Sequence, residues 1–299
     1  MTNRVIPSPN GLVDDITGEF KGVRTADRDY LLPNYALDAS DVTGLVGPGG
    51  TVIAIGSTAA LNLRSAVPGR QYATSGVPKD VSGVGNDLVV KAGITDAQLW
   101  ANAGYFSAIA ASDGYPYLPN AAFPFTMGTD SILMGVLVND AVPGGQTSML
   151  GCANTTTRPG FYWAARPTTG AGRVVVTTTG TGAASVQGAD TACAFYDSTP
   201  HHLVIGIDGP TRSVFVWRDG LLVQTQLNLF PTGAGLCSSN FAFGTNQDTG
   251  VAGTSVAAKF AGFQLMRFLG AGLPTNVGLL VQRMAASPYN PIRSADVVA

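Results

Sequence analysis

Hydrophobic and polar residues alternate with a period of two along residues 201–223, HHLVIGIDGPTRSVFVWRDGLLV. Leu203, Ile205 and Ile207 fall on one side, and Val204, Gly206 and Asp208 on the other. Asp208-Gly209-Pro210-Thr211-Arg212 then reverses the chain. Val214, Val216 and Arg218 alternate with Phe215 and Trp217, and Asp219-Gly220 turns the chain once more. Period-two alternation bounded by Asp-Gly predicts a β-hairpin. In it Val204, Ile205 and Ile207 pair with residues 214–217.

The same pattern, in shorter pieces, recurs along much of the chain. GYFSAI, AFPFTMG, SMLGCA, GFYWAARP and RVVVTTT read as strands before the hairpin, and FAFGTN and AAKFAGFQLMRF as strands after it. DSILMGVLVN, residues 130–139, reads as a central strand. TVIAIG, residues 51–56, is a buried strand within a connector punctuated by Gly and Pro. Near the C-terminus Val277, Leu280, Val281 and Met284 stand at helical spacing and predict one short helix. No internal repeat is visible.

Two of these stretches carry a family likeness. DVSGVGNDLVVKAG, residues 80–93, resembles the Asp-h-Ser-Gly-x-Gly-Asn-x-h loop that opens laminin-G-like jelly rolls (h, hydrophobic). The 201–223 hairpin resembles the His-h-h-h-Asp-Gly…Asp-Gly hairpin of laminin-G-like and concanavalin A-like sandwiches. Both stand in the family order, with strands between them. The resemblance covers residues 80–290. It implies an all-β jelly-roll sandwich with a short C-terminal helix. Residues 1–79 then form an extended N-terminal attachment arm and connector, and residues 291–299 a tail.

Composition agrees with this. There are 38 glycines and 18 prolines, and only 12% of residues are charged. Glu19 is the single glutamate and there are four lysines, too few for a protein of exposed helices. A net charge of −2 argues for neither nucleic acid nor an anionic membrane, and neither is expected as a partner. The uncharged run at 42–63 holds Pro48 and several glycines, which argues against a membrane helix. Such weak surface charge fits a subunit covered by partners, a homo-oligomer included; an uncharged free β-protein is the alternative. The first 41 residues hold eleven of the 36 charged residues. Pro7, Pro9, Gly11 and Pro33 keep this segment extended. Glu19, Lys21, Arg24, Asp27, Arg28 and Asp29 are the candidate attachment residues of an arm that orders on a partner; an ordinary solvated tail is the alternative.

Candidate chemistry is sparse. Glycan hydrolysis needs two carboxyl groups, and the Glu-x-Asp-x-Glu strand of concanavalin A-like glycan hydrolases is absent. Asp190, Asp197, Asp208, Asp219 and Asp248 stand singly in turn-like contexts, where aspartate usually bonds its own backbone. His201 and His202 are the only histidines, and no Gly-x-Ser-x-Gly elbow accompanies them. Cys152, Cys193 and Cys237 are widely spaced, form no metal or redox motif, and read as small buried residues of a protein made in a reducing cytosol. The resemblance admits calcium, with Asp130, Asp190 and Asp248 as candidate ligands, although no cofactor is required. It also admits glycan binding, with Tyr115, Tyr117, Tyr162 and Trp163 as candidate stacking residues. For GFYWAARP the alternative is a core strand.

The reading that unites these features is a non-enzymatic structural protein of a bacteriophage virion. It resembles tail, fibre or capsid decoration proteins, made without a signal peptide and attached to other virion proteins through its N-terminal segment. The alternative is a carbohydrate-binding adhesin module that recognises host surface glycans.

Overall fold

Residues 201–226 fold as their alternation requires. His201–Asp208 pairs antiparallel with Ser213–Arg218, with Val204 opposite Trp217, Ile205 opposite Val216 and Ile207 opposite Val214. Ser213–Arg218 in turn pairs with Leu221–Gln226 across the Asp219-Gly220 turn. Both turn residues have positive φ, 52° at Asp219 and 85° at Gly220, as a tight hairpin turn demands.

The computed structural model describes residues 88–91, 94–99, 101, 106–108, 114–122, 124–144, 147–153, 159–177, 185–230, 235–237, 239–245 and 258–286. It also describes the backbone of the strands within residues 1–80. The strands build an all-β sandwich. One antiparallel sheet runs in the order Leu221–Gln226, Ser213–Arg218, His201–Asp208, Ser131–Val138, Ala258–Phe268, Ala60–Arg64, Lys79–Asp80, and Phe106–Ala108 also pairs with Ala258–Phe268. The other runs Ser185–Gln187, Gly172–Thr177, Gly160–Ala165, Thr147–Gly151, Phe241–Phe243, Pro116–Leu118, Val89–Val90. Phe125–Met127 and Gly235–Cys237 form a separate two-stranded ribbon. Ser131–Val138 is central, as its sequence predicts.

The main core lies between the sheets. Met134, Val136, Leu203, Ile205, Val216 and Phe263 from one sheet belong to the same buried cluster as Leu150, Phe161, Trp163, Val174, Phe241 and Phe243 from the other. The outer face of the first sheet is apolar too. There Leu133, Val204, Trp217, Met266 and Phe268 pack with Leu280, Val281 and Met284 of the helix Val277–Ala286. Two covered faces explain why SILMGVLV is buried at every position and why its sequence shows no alternation. Gly135 lies under this helix: a Cβ there would lie 2.5 Å from Cε of Met284, so any larger residue would have to displace the tip of that side chain.

Three features of the N-terminal region differ from or add to the sequence reading. Ala60–Arg64 pairs with Ala258–Phe268, with Leu63 opposite Phe263, so the sandwich sheet takes in a strand ahead of residue 80. The extended segment at residues 1–41 carries four strands, Val5–Ser8, Gly11–Asp14, Phe20–Arg24 and Asp29–Leu31, paired in order as a meander. Val52–Ile53, within the expected strand at 51–56, pairs with Leu45–Val46. A further short helix, Asp96–Leu99, carries a reciprocal cap: Gln98 N donates to Thr95 Oγ1, and Thr95 N donates to Gln98 Oε1.

Gly220 offers a direct test of the hairpin. A Cβ there would meet Ala285 at 3.4 Å, ordinary contact, so the constraint is φ rather than space. Gly220→Val should therefore lower stability by about 1–2 kcal/mol, the cost of left-handed backbone, with β-branching adding to it. An unchanged melting temperature would rule out the positive φ.

Candidate functional site

The aromatic candidates for sugar stacking are core residues, with one partial exception. Trp163 has no exposed surface, Tyr115 is 1% and Tyr162 7% exposed. The Trp163 ring packs edge-on against Phe195 at 5.1 Å, and its Nε1–H donates to the Tyr196 hydroxyl at 2.7 Å. Burial pushes the hydroxyls of Tyr162 and Tyr196 up, so both stay neutral. The strand Gly160–Ala165 is buried on both sides, which corrects the stacking assignment for Tyr162 and Trp163. Tyr115 is likewise removed, and only half-buried Tyr117, against Tyr115 at 6.4 Å, keeps accessible surface.

The described aspartates are engaged. Asp130 accepts from the backbone N–H groups of Thr126 at 2.8 Å and Gly270 at 2.9 Å, tying the entry of the central strand to the exit of Ala258–Phe268. Asp208 accepts from Thr211 N at 3.0 Å and Leu273 N at 3.1 Å. Asp190 takes two guanidinium contacts, described below. Among the described residues no three His, Cys, Asp or Glu side chains converge as a metal site. Of the calcium candidates, Asp130 and Asp190 serve these separate partners, and Asp248 lies outside the described residues. Of the attachment candidates, Glu19, Asp27 and Arg28 lie outside them, while Lys21, Arg24 and Asp29 are placed by backbone only, on two paired strands.

Two polar clusters stand at the rim. The first surrounds His201, where the hairpin enters the sheet. Asp219 Oδ2 faces its Nδ1 at 2.8 Å, and both Asp197 carboxylate oxygens lie 3.1 Å from its Nε2. Arg218 NH2 is 2.8 Å from the same Nε2. Thr199 Oγ1 lies 2.9 Å from Nε2, so a hydroxyl, an imidazole and a carboxylate stand in a row. However, the single hydroxyl proton of Thr199 goes to Asp197 Oδ1 at 2.5 Å, which removes it from the imidazole. Asp219 Oδ1 also accepts from His202 N at 2.8 Å. The row thus ties the Thr199 loop and the Asp219 turn to the strand entrance.

Bonds from Thr199 and then His201 hold the Asp197 carboxyl well below the usual carboxylate range. A depressed value contributes stability that is complete above the ordinary value of 3.8 and is lost as pH falls through the lower folded value. Asp197→Asn should therefore melt lower than the parent chain at neutral pH, and the gap should close as pH drops below about 4. Thermal melts across that range check it; a gap that persists at the acid end would refute the assignment.

The second cluster joins the outer strands of the two sheets. Arg173, opposite Ala164 in the paired strands, donates from Nε to Asp190 Oδ1 at 2.7 Å and also bonds Gln187. Arg166 donates from Nε to Asp190 Oδ2 at 3.1 Å. Gln224, from the edge strand of the other sheet, donates to the Ala189 carbonyl at 2.8 Å. The loop that carries Asp190 is pinned by Gly188 N to Val174 O and by Thr191 N to Gly172 O, both at 2.8 Å. Asp190 remains 41% exposed, so a fixed set of planar polar groups faces solvent. Of its members the sequence reading singled out only Asp190. The usable signal was Arg173, a lone charge in the apolar run GRVVVT.

No protein-family model matches the chain, and no curated protein matches it. Solved structures similar to it include the binding domain of Paraclostridial Mosquitocidal Protein 1, 13% identical with a TM-score of 0.48 over 76% of this chain and 51% of that one. A Trypanosoma rangeli sialidase in complex with sialic acid is 15% identical with a TM-score of 0.48, over 83% of this chain and 36% of that one. Domain 4 of AbnA, a GH43 extracellular arabinanase from Geobacillus stearothermophilus, in complex with arabinotriose, is 14% identical with a TM-score of 0.44, over 69% of this chain and 92% of that one. The chain thus matches about half the length of the first of these, 51%. No helix among the described residues is long and apolar enough to cross a membrane.

Proposed function

We propose that this protein is a non-catalytic recognition module that binds a carbohydrate chain at the rim of its sandwich. The observation that carries the reading is the network of Arg166, Arg173, Gln187 and Asp190. A sugar presents paired hydroxyl groups, each both donor and acceptor. Guanidinium, carboxamide and carboxylate groups match them, and groups already fixed in place lose little freedom on binding. The engagement of the described aspartates with backbone, guanidinium or imidazole partners supports the non-catalytic part. The full chain applied to a glycan microarray should retain at least one class of glycan without releasing product. Arg166→Ala combined with Arg173→Ala should weaken that binding at least tenfold while the circular dichroism spectrum stays that of a β-protein. A well-folded chain that binds no glycan, or a double variant that binds undiminished, would overturn the reading.

A second reading, a virion structural protein attached through its N-terminal segment, is favoured by one observation. The four strands from Val5–Ser8 to Asp29–Leu31 pair with one another, as a separate unit would. Deleting residues 1–41 should leave the melting transition of the sandwich in place and abolish incorporation into particles. Normal copy number in the truncated form would remove this reading.

A further inference from the structure

Two of the three cysteines, 85 residues apart in sequence, meet inside the sandwich. Cys152 follows the strand Thr147–Gly151 and is 2% exposed; Cys237 ends the ribbon strand Gly235–Cys237 and is fully buried. Cys237 Sγ lies 3.4 Å from the Cys152 carbonyl oxygen, which sets the two cysteines side by side in the core. Both backbones are anchored. Cys152 N donates to Phe161 O at 2.9 Å, and the Cys237 carbonyl accepts from Asn120 Nδ2 at 2.8 Å. Neither the wide spacing in sequence nor any motif signals this pair.

We propose that Cys152 and Cys237 form an intramolecular disulfide when the chain folds in the presence of a small-molecule disulfide such as glutathione disulfide. One cysteine thiolate attacks a sulfur of glutathione disulfide, the glutathione S–S bond breaks, and one glutathione leaves as thiolate and takes up a proton. The second cysteine thiolate then attacks the protein sulfur of the mixed disulfide and expels the second glutathione. Two protein thiols are oxidised by two electrons in total, and glutathione disulfide is reduced to two glutathione molecules. The product ties the end of a strand in one sheet to the two-stranded ribbon. It closes a long loop, which narrows the unfolded ensemble and raises stability.

Burial gives the exchange a direction in time. In the folded, reduced chain, burial pushes the Cys152 thiol up and keeps it protonated, and a thiol is a poor nucleophile beside its thiolate. Exchange therefore runs while the chain is folding and is slow afterwards. Once formed, the bond is shielded from reductant by the same burial.

The full chain, unfolded under reducing conditions, is to be refolded in a reduced and oxidised glutathione buffer and then alkylated. Mass spectrometry should show loss of two hydrogens, a linked peptide pair containing Cys152 and Cys237, and an alkylated Cys193. The linked form should melt higher than the reduced form, and a reductant added with denaturant should remove the difference. Cys193→Ser should form the link as before, and Cys152→Ser should not. If refolding is inefficient, the folded chain is incubated with glutathione disulfide in denaturant below the unfolding midpoint and read the same way. Three alkylated thiols in protein with the native β-sheet spectrum, or a link that involves Cys193, would overturn the proposal.

Discussion

Trp163→Ala should lower the free energy of unfolding by about 3–5 kcal/mol, the range for deleting a large buried aromatic side chain. The ring has no exposed surface, so its whole area returns to water on unfolding. Its removal also leaves the Tyr196 hydroxyl, itself fully buried, without the indole N–H that it accepts at 2.7 Å. The site cannot collapse easily, because the facing residue is Gly172, whose absent side chain makes room for the ring. A Cβ on Gly172 would lie 1.8 Å from Trp163 Cζ2. Gly172→Ala should consequently also destabilise, by about 1–3 kcal/mol through overpacking. In a Trp163→Ala background that penalty should shrink or reverse, since the added methyl enters the cavity. Denaturant unfolding of the two single variants and the double variant measures the coupling. Additive losses would show that Gly172 and Trp163 do not share this space.

Leu280→Asp should undock the C-terminal helix and expose the outer face of the large sheet. Leu280 has no exposed surface and packs in one cluster with Leu133, Trp217 and Phe268. Truncation to alanine alone should cost about 2–5 kcal/mol. A carboxylate in that position has no partner among the cluster residues and forces the helix away rather than staying ionised in an apolar layer. The variant should bind a hydrophobic dye and elute as larger species in size-exclusion chromatography, while Leu279→Asp, at a position 42% exposed, should do neither. A monomeric Leu280→Asp variant that binds no dye would mean that the helix does not seal this face.

Local patterning made the hairpin and the helix legible. Asp-Gly turns leave the backbone few alternatives at residues 208–220, and Val277, Leu280, Val281 and Met284 can share a face only in a helix. Most of the longer strands between residues 130 and 268 were legible for the same reason, whereas the short strands Pro116–Leu118, Ser185–Gln187 and Gly235–Cys237, and the order of strands within each sheet, were not. Solvent exposure was not. GFYWAA and SILMGVLV are apolar throughout, and a period of two cannot say which side faces water when both sides are covered. The pattern of GFYWAARP therefore fits both a core strand and a row of stacking aromatics, and only the burial of Tyr162 and Trp163 decides for the core. The rim network was hidden for a different reason. Asp190 meets Arg166 and Arg173 only after the loop at 188–191 folds back on the Gly172–Thr177 strand, a long-range event with no local signature. Pairing of Ala60–Arg64 with Ala258–Phe268 and the meeting of Cys152 with Cys237 are of the same kind.

The position of Ala258–Phe268 has a consequence for the timing of synthesis. This strand lies between Ser131–Val138 and Ala60–Arg64, so the middle of the large sheet is missing until residue 268 has been made. At 5–20 residues per second, the interval from residue 138 to residue 268 lasts roughly 7–26 s, and the ribosome must release further residues before the strand is free to pair. For that interval an eight-residue apolar strand waits with one edge open on the nascent chain. Its other edge can be covered earlier, when His201–Asp208 emerges, so the hairpin acts as the first shelter for the central strand. Closure of the sheet is a late event that joins segments widely separated in sequence, Leu63 with Phe263 and Leu133 with Met266, and such topologies fold slowly. A ribosome stalled between residues 210 and 258 would carry a half-sheet with an exposed apolar edge, the state most in need of a chaperone.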